Sequence, residues 1–151
     1  MIRPPAPHRD LMRYLHRAAL LSERAGDRRF QQRIGIGRTL FLVLRSIADA
    51  GDVPPSQQEI ADLLSLTKGA VSRHVETAQR RGWLTVTASP VSRREHALTL
   101  TPAGRSLVWE GMAVQHEYER VGDERITEAA MATTIRTLKT MCEILENEER
   151  R

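Results

Sequence analysis

A chain of 151 residues has the length of one domain with extensions, and it can bury enough surface to fold without covalent staples. Its single cysteine, Cys142, excludes an intrachain disulfide, and 4% aromatic residues argue against a stacking platform for single-stranded bases. The net charge of +4 is unevenly spread: residues 1–55 carry ten arginines against five acids, residues 56–105 seven Lys/Arg against four, and residues 106–151 six against ten.

A polyanionic partner would prefer the basic front two thirds. Met1–Pro7 holds three prolines and no apolar run, so no signal peptide is visible. No stretch reaches the length of a membrane span. The expectation is a soluble cytoplasmic protein with no membrane contact.

In chain order, residues 8 to about 28 predict a helix, with Leu11, Leu15 and Ala18 at helical spacing beside Tyr14 and Leu21. Arg33–Gly37 holds two glycines and predicts a bend. Leu40, Phe41, Leu44, Ile47 and Ala48 mark a second helix that Gly51 ends, and Pro54-Pro55 forms an extended joint. Ser56-Gln57-Gln58-Glu59 reads as a capping box for a short helix to Leu64, with Ile60, Ala61 and Leu64 inward. Ser65-Leu66 makes a tight turn. Thr67 caps a further helix to Arg81, whose inner stripe is Val71, Val75 and Ala78 and which Gly82 closes.

After Gly82 the period changes from helical to two. Leu84 and Val86 alternate with Thr85 and Thr87, and Ala97–Leu100 returns as the second strand of a hairpin. Thr101-Pro102 opens a fifth helix running to about Val121. A last helix from about Thr127 repeats Met131, Ile135, Leu138, Cys142 and Leu145 as a heptad seam, which requires a partner surface.

The predicted fold is mainly α with a small β-hairpin wing: a winged helix-turn-helix flanked by N- and C-terminal helices, whose partner surface is either the same domain or another chain. The segments expected are 1–35 for the N-terminal helix, 36–104 for DNA binding and 105–151 for the C-terminal helices. The helix over 67–81 is the candidate recognition helix. Thr67, Lys68, Gly69, Ser72 and Arg73 are its candidate DNA-binding residues, with Glu76 also on the outer face. Arg73 has the fork to hold a guanine edge by two bonds. Gly69 permits close backbone approach. Arg93 and Arg94 stand at the hairpin tip, where an arginine can enter a narrow minor groove.

The run LTKGAVSRHVETAQRRGWLTV, followed by SPVSRREHALTLTPAG, resembles the multiple-antibiotic-resistance regulator (MarR) family over about 56–104. The resemblance implies a ligand-responsive repressor, homodimeric through N-terminal (1–35) and C-terminal (105–151) dimerisation helices, that reads an inverted-repeat operator in double-stranded DNA. Arg94 would be the wing-tip arginine. The family's wing aspartate is Ser92 here, so the charged brace of that arginine is replaced by a neutral hydroxyl, with Glu95 as a possible substitute anchor. The resemblance also implies a small amphipathic or phenolic effector, for which Arg13, Arg17 or Arg38 could pair a carboxylate.

Other chemistry finds little support. No Gly-rich phosphate loop, nucleophile elbow or paired metal motif is present, so no enzyme, cofactor or metal is expected. His8, His16, His74, His96 and His116 do not cluster at ligand spacing, although His74 could touch the DNA backbone. Cys142 lies on the seam, where cysteine serves as a small apolar residue. The alternative function is a winged helix that binds protein rather than duplex DNA, but such a module would lack the outward basic residues.

Overall fold

The computed structural model describes residues 7–51, 53–88, 96–119 and 125–149. These contain α1 (Pro7–Ile34), α2 (Arg38–Asp49), α3 (Gln57–Leu64), α4 (Lys68–Arg80), β1 (Leu84–Ala88), β2 (His96–Leu100), α5 (Pro102–Glu119) and α6 (Glu128–Glu149). The chain divides into two compact units, Met1–Tyr118 and Glu119–Arg151.

The core of the first unit forms where α2 packs against α3, α4 and β2. Leu40, Phe41, Val43, Leu44 and Ile47 of α2 meet Ile60 and Ala61 of α3 and Val71, Val75 and Ala78 of α4. The strands pair antiparallel, with Leu84 opposite Leu100 and Val86 opposite Leu98. Period-two alternation turns Leu84, Leu98 and Leu100 inward and leaves Thr85, Thr87 and Thr99 exposed.

α1 runs past the end expected near residue 28. Its last turns gain burial that its own sequence does not advertise: Phe30 is fully buried with its ring 4.7 Å from that of Phe41. Gly35, at φ +70°, then turns the chain. Polar contacts fasten α1 to its neighbours. The Tyr118 hydroxyl donates to the Ser22 carbonyl at 2.8 Å and pairs with Ser22 Oγ. Arg33 holds both carboxylate oxygens of Glu117, at 3.0 and 3.3 Å. The first amide of α2, on Arg38, donates to Asp27 Oδ1 at 3.0 Å, so a carboxylate from α1 caps a helix whose own N-cap, Gly37, has no side chain to do so.

The start of α5 depends on a glycine. Thr101 Oγ1 donates to the Gly82 carbonyl at 2.7 Å and accepts from the Gly104 amide at 3.1 Å, while the Thr101 amide donates to the Trp83 carbonyl at 3.0 Å. These bonds press the first turn of α5 onto the backbone that leaves α4. A Cβ at Gly104 would overlap the Trp83 carbonyl oxygen, which is backbone and cannot swing aside.

The second unit is built on α6, opened by the Thr127 side chain accepting from the Ala130 amide at 3.2 Å. Along its seam Met131, Ile135, Cys142 and Leu145 are exposed, and Leu138 and Met141 half-buried. The front half of α1 is similarly bare, with Leu11, Met12, Tyr14 and Leu21 exposed. Among the described residues, no helix is long and apolar enough to cross a membrane.

Gly104→Ala is expected to destabilise the native state by about 1–3 kcal/mol, the usual cost of forcing atoms into a filled space. Chemical denaturation of the two proteins measures it, and an unchanged midpoint would show that the α5 start can shift freely.

Candidate nucleic-acid interface

α3 and α4 form the helix-turn-helix, and each boundary has a local cause. Ser56 Oγ accepts from the Glu59 amide at 3.2 Å, and Glu59 Oε2 accepts from the Ser56 amide at 2.7 Å, completing the capping box. The bond from the Ser56 backbone, and then that with its side chain, hold the Glu59 carboxyl below the usual range. Ser65 ends α3 in the left-handed region at φ 53°, and Leu66 donates to the Ala61 carbonyl at 2.8 Å. Two residues later, Thr67 Oγ1 accepts from the Ala70 amide at 3.2 Å and opens α4.

The orientation of α4 follows from its apolar stripe. Val71, Val75 and Ala78 are buried. With about 100° between successive residues, the opposite side carries Gly69, Arg73, Glu76 and Arg80 in one line. All four are exposed. Lys68 and Ser72 lie on one flank of that line, and Thr77 on the other. Space beside Gly69 is open, with no atom within 4 Å of where a Cβ would sit.

Helix α4 brings the predicted residues of its first two turns together. Thr67 and Lys68 are exposed at the N-terminus, where free amides and the helix dipole favour phosphate. The Thr67 hydroxyl oxygen accepts the cap bond from the Ala70 amide and keeps its own O–H as a donor. Ser72 is half-buried and its hydroxyl donates to Glu76 Oε1 at 3.5 Å. Arg73 is exposed and free of ion pairs among the described residues. Ser92, Arg93, Arg94 and Glu95 at the hairpin tip lie outside the described residues.

Arg80 was missed by the reading of the sequence, which weighted the first turns of the helix. The signal was available: Arg80 stands seven residues after Arg73, which returns it to the same face. Its guanidinium donates to Thr77 Oγ1 at 3.4 Å, and that hydroxyl in turn donates to the Arg73 carbonyl at 2.9 Å. Farther along, Arg81 lies over the Trp83 ring at 5.6 Å.

His74 is half-buried on α4. Burial first, and then the positive charge of Arg73, push its pKa below the ordinary imidazole value. It therefore adds no positive charge at neutral pH, and any contact with a phosphate is that of a neutral imidazole. The unfolded chain binds this proton more readily than the native state does. Stability is thus full above the ordinary imidazole range and declines as pH falls through it toward the lower native value. Denaturation midpoints at pH 7.5 and pH 5.5 should show this decline, and His74→Gln should reduce it. An equal decline in the variant would assign the effect to other groups.

A model of the MarR family matches residues 34–95, from the end of α1 to the hairpin tip. No curated protein sequence matches the chain. Among solved structures, the chain is similar to Sco3205, a MarR family transcriptional regulator from Streptomyces coelicolor solved in complex with DNA. The TM-score is 0.83 and the identity 20%, covering 95% of this chain and 94% of that one. It is also similar to MepR of S. aureus, likewise solved as a DNA complex (TM-score 0.77, 20% identity, 86% and 95% covered). A third similar structure is CouR of Rhodococcus jostii RHA1 bound to p-coumaroyl-CoA (TM-score 0.74, 20% identity, 90% and 94% covered). The MarR family model thus matches the helix-turn-helix and the first strand, and the chain shares the winged-helix fold of these solved regulators along nearly its whole length.

Proposed function

We propose that the protein is a ligand-responsive repressor that binds an inverted-repeat operator as a homodimer in the cytoplasm. The observation that carries this reading is the free face of α4: the apolar stripe is sealed in the core, so Arg73 and its neighbours stand clear for a duplex groove. Residues 36–104 act as the DNA-binding domain. Residues 1–35 and 105–151 supply dimerisation helices. The exposed apolar side chains of α1 and α6 support this role, because monomeric proteins seldom leave such surface bare. Two recognition helices on one face of B-DNA would reach major grooves about 34 Å apart, which calls for a symmetric site. Thr67, Lys68, Ser72 and Arg73 contact the major groove and its phosphates, Gly69 lets the backbone approach, and Arg93 and Arg94 serve the minor groove.

The effector site we propose is a cleft of about 240 Å³ between α1, the start of α2 and the turn after α3. Its lining includes Ser22, Glu23, Asp27, Arg38, Leu42 and Leu66, which set one cation and two carboxylates beside an apolar floor. A small amphipathic effector, such as a single-ring phenolic acid, would lay its ring on the apolar floor and set its acidic group against Arg38, away from Glu23 and Asp27. Arg38 already donates to Gln115 Oε1 at 3.4 Å and lies over the Tyr118 ring at 5.3 Å, which holds its guanidinium in place. The CouR complex shows that a protein of this fold can carry an aromatic acyl thioester. A ligand that prefers one arrangement of α1 against the helix-turn-helix shifts DNA affinity by its difference in affinity for the two states.

A gel-shift with the region upstream of the gene tests the reading directly. If the dimer neutralises about eight phosphates, log affinity should fall against log salt with a slope near −7. A slope near zero would refute the phosphate footprint. Arg94→Ala should weaken binding to all sequences alike, whereas Arg73→Ala should relax preference at one base pair by about 1–3 kcal/mol. Equal, sequence-blind losses from both would remove Arg73 as a base reader.

A further inference from the structure

The outward line of α4 contains an acid between two bases. Gly69, Arg73, Glu76 and Arg80 share one exposed face, and the carboxylate stands at its middle. A negative charge carried into a groove walled by phosphates weakens binding unless it meets a hydrogen-bond donor there. Glu76 makes no ion pair among the described residues, although Arg73 and Arg80 stand three and four residues away. Its contact is instead the Ser72 hydroxyl, which donates to Oε1 at 3.5 Å. Ser72 is half-buried on the flank of this line, and Glu76 itself is exposed, so one neutral hydrogen bond leaves the carboxylate with acceptor capacity to spare.

We propose that Glu76 is a specificity-determining residue that accepts a hydrogen bond from the exocyclic amine of a cytosine in the major groove. Cytosine presents the amine donor there that suits a carboxylate. Arg73 and Glu76 are separated by about 4.5 Å along the helix axis, close to the rise of about 3.4 Å between base pairs. The two side chains therefore address one base pair or two adjacent ones, and a guanine read by Arg73 accompanies the cytosine read by Glu76. The acid also works by exclusion: at a site with no amine in that place, it faces acceptors and phosphates. Glu76 thus lowers affinity for random DNA while it defines one operator position.

This assignment rests on α4 being the groove-reading helix, and the test separates the two. The full-length wild-type protein, Glu76→Gln and Glu76→Ala are each used to enrich binding sites from a random duplex pool. Their affinities for the enriched site and for a scrambled duplex are then measured. The wild type should enrich half-sites with a fixed cytosine at or beside a fixed guanine. Glu76→Gln should move that position toward adenine, because a carboxamide pairs with both groups of the adenine edge. Glu76→Ala should flatten the position, lose roughly 5- to 150-fold of its base discrimination and bind the scrambled duplex more tightly than the wild type. The side chain is exposed, and retained cooperative unfolding confirms that each variant is native. A motif preserved unchanged in both variants overturns the role of Glu76 and leaves the groove-reading helix standing. A wild type that enriches no sequence overturns both.

Discussion

Burial of Val71, Val75 and Ala78 on one side of α4 is the contact on which the outward face of the helix-turn-helix depends. A helix has two sides, and sealing one against α2 and α3 decides which residues remain for a partner. Neither end of α4 can slip. Thr67 satisfies an orphan amide at the start, and at the other end the Trp83 amide donates to the Ala78 carbonyl at 2.9 Å. Beyond that, the Trp83 backbone is clasped by Thr101 and by the bare Cα of Gly104. The chain thus fixes the helix, the first strand of the hairpin and the start of α5 as one piece. A side chain on α4 then points in a direction set by the core rather than by its own preference.

The attachment of α1 is of a different kind. Phe30 anchors its last turns in the apolar core, but the contacts on either side of it are polar and largely exposed: Ser22 with Tyr118, Asp27 with the Arg38 amide, Arg33 with Glu117. Exposed pairs of this sort each contribute little, because water replaces them at small cost. They specify an arrangement without making it rigid. The ligand response proposed above would act on this attachment, through two states that differ in how α1 meets the helix-turn-helix. The energy separating such states need only be a few kcal/mol for a small ligand to shift them.

Charge on α4 is patterned rather than merely positive. Lys68, Arg73 and Arg80 are cationic, Glu76 is anionic, and burial and the neighbouring Arg73 disfavour the charged form of His74. A face made only of cations would bind any duplex. Mixing signs at fixed positions lowers that background, and hydrogen-bond geometry can then decide between sequences.

Local features of this molecule were legible in the amino-acid order, because caps and periodicity act over a few residues. Ser56 with Glu59, Thr67, the stripe of Val71, Val75 and Ala78, the alternation around Leu84 and Leu98, and the Thr101-Pro102 start all took the form their spacing implies. Tertiary contacts decided the rest. The true end of α1 follows from Phe30 meeting Phe41, residues far apart in the chain. The need for glycine at 104 comes from a carbonyl about twenty positions earlier, and the proton affinity of His74 from the surface it loses on packing. A sequence states its short-range hydrogen bonds and its period directly. Which distant atoms will fill the same space becomes visible only when the chain is folded.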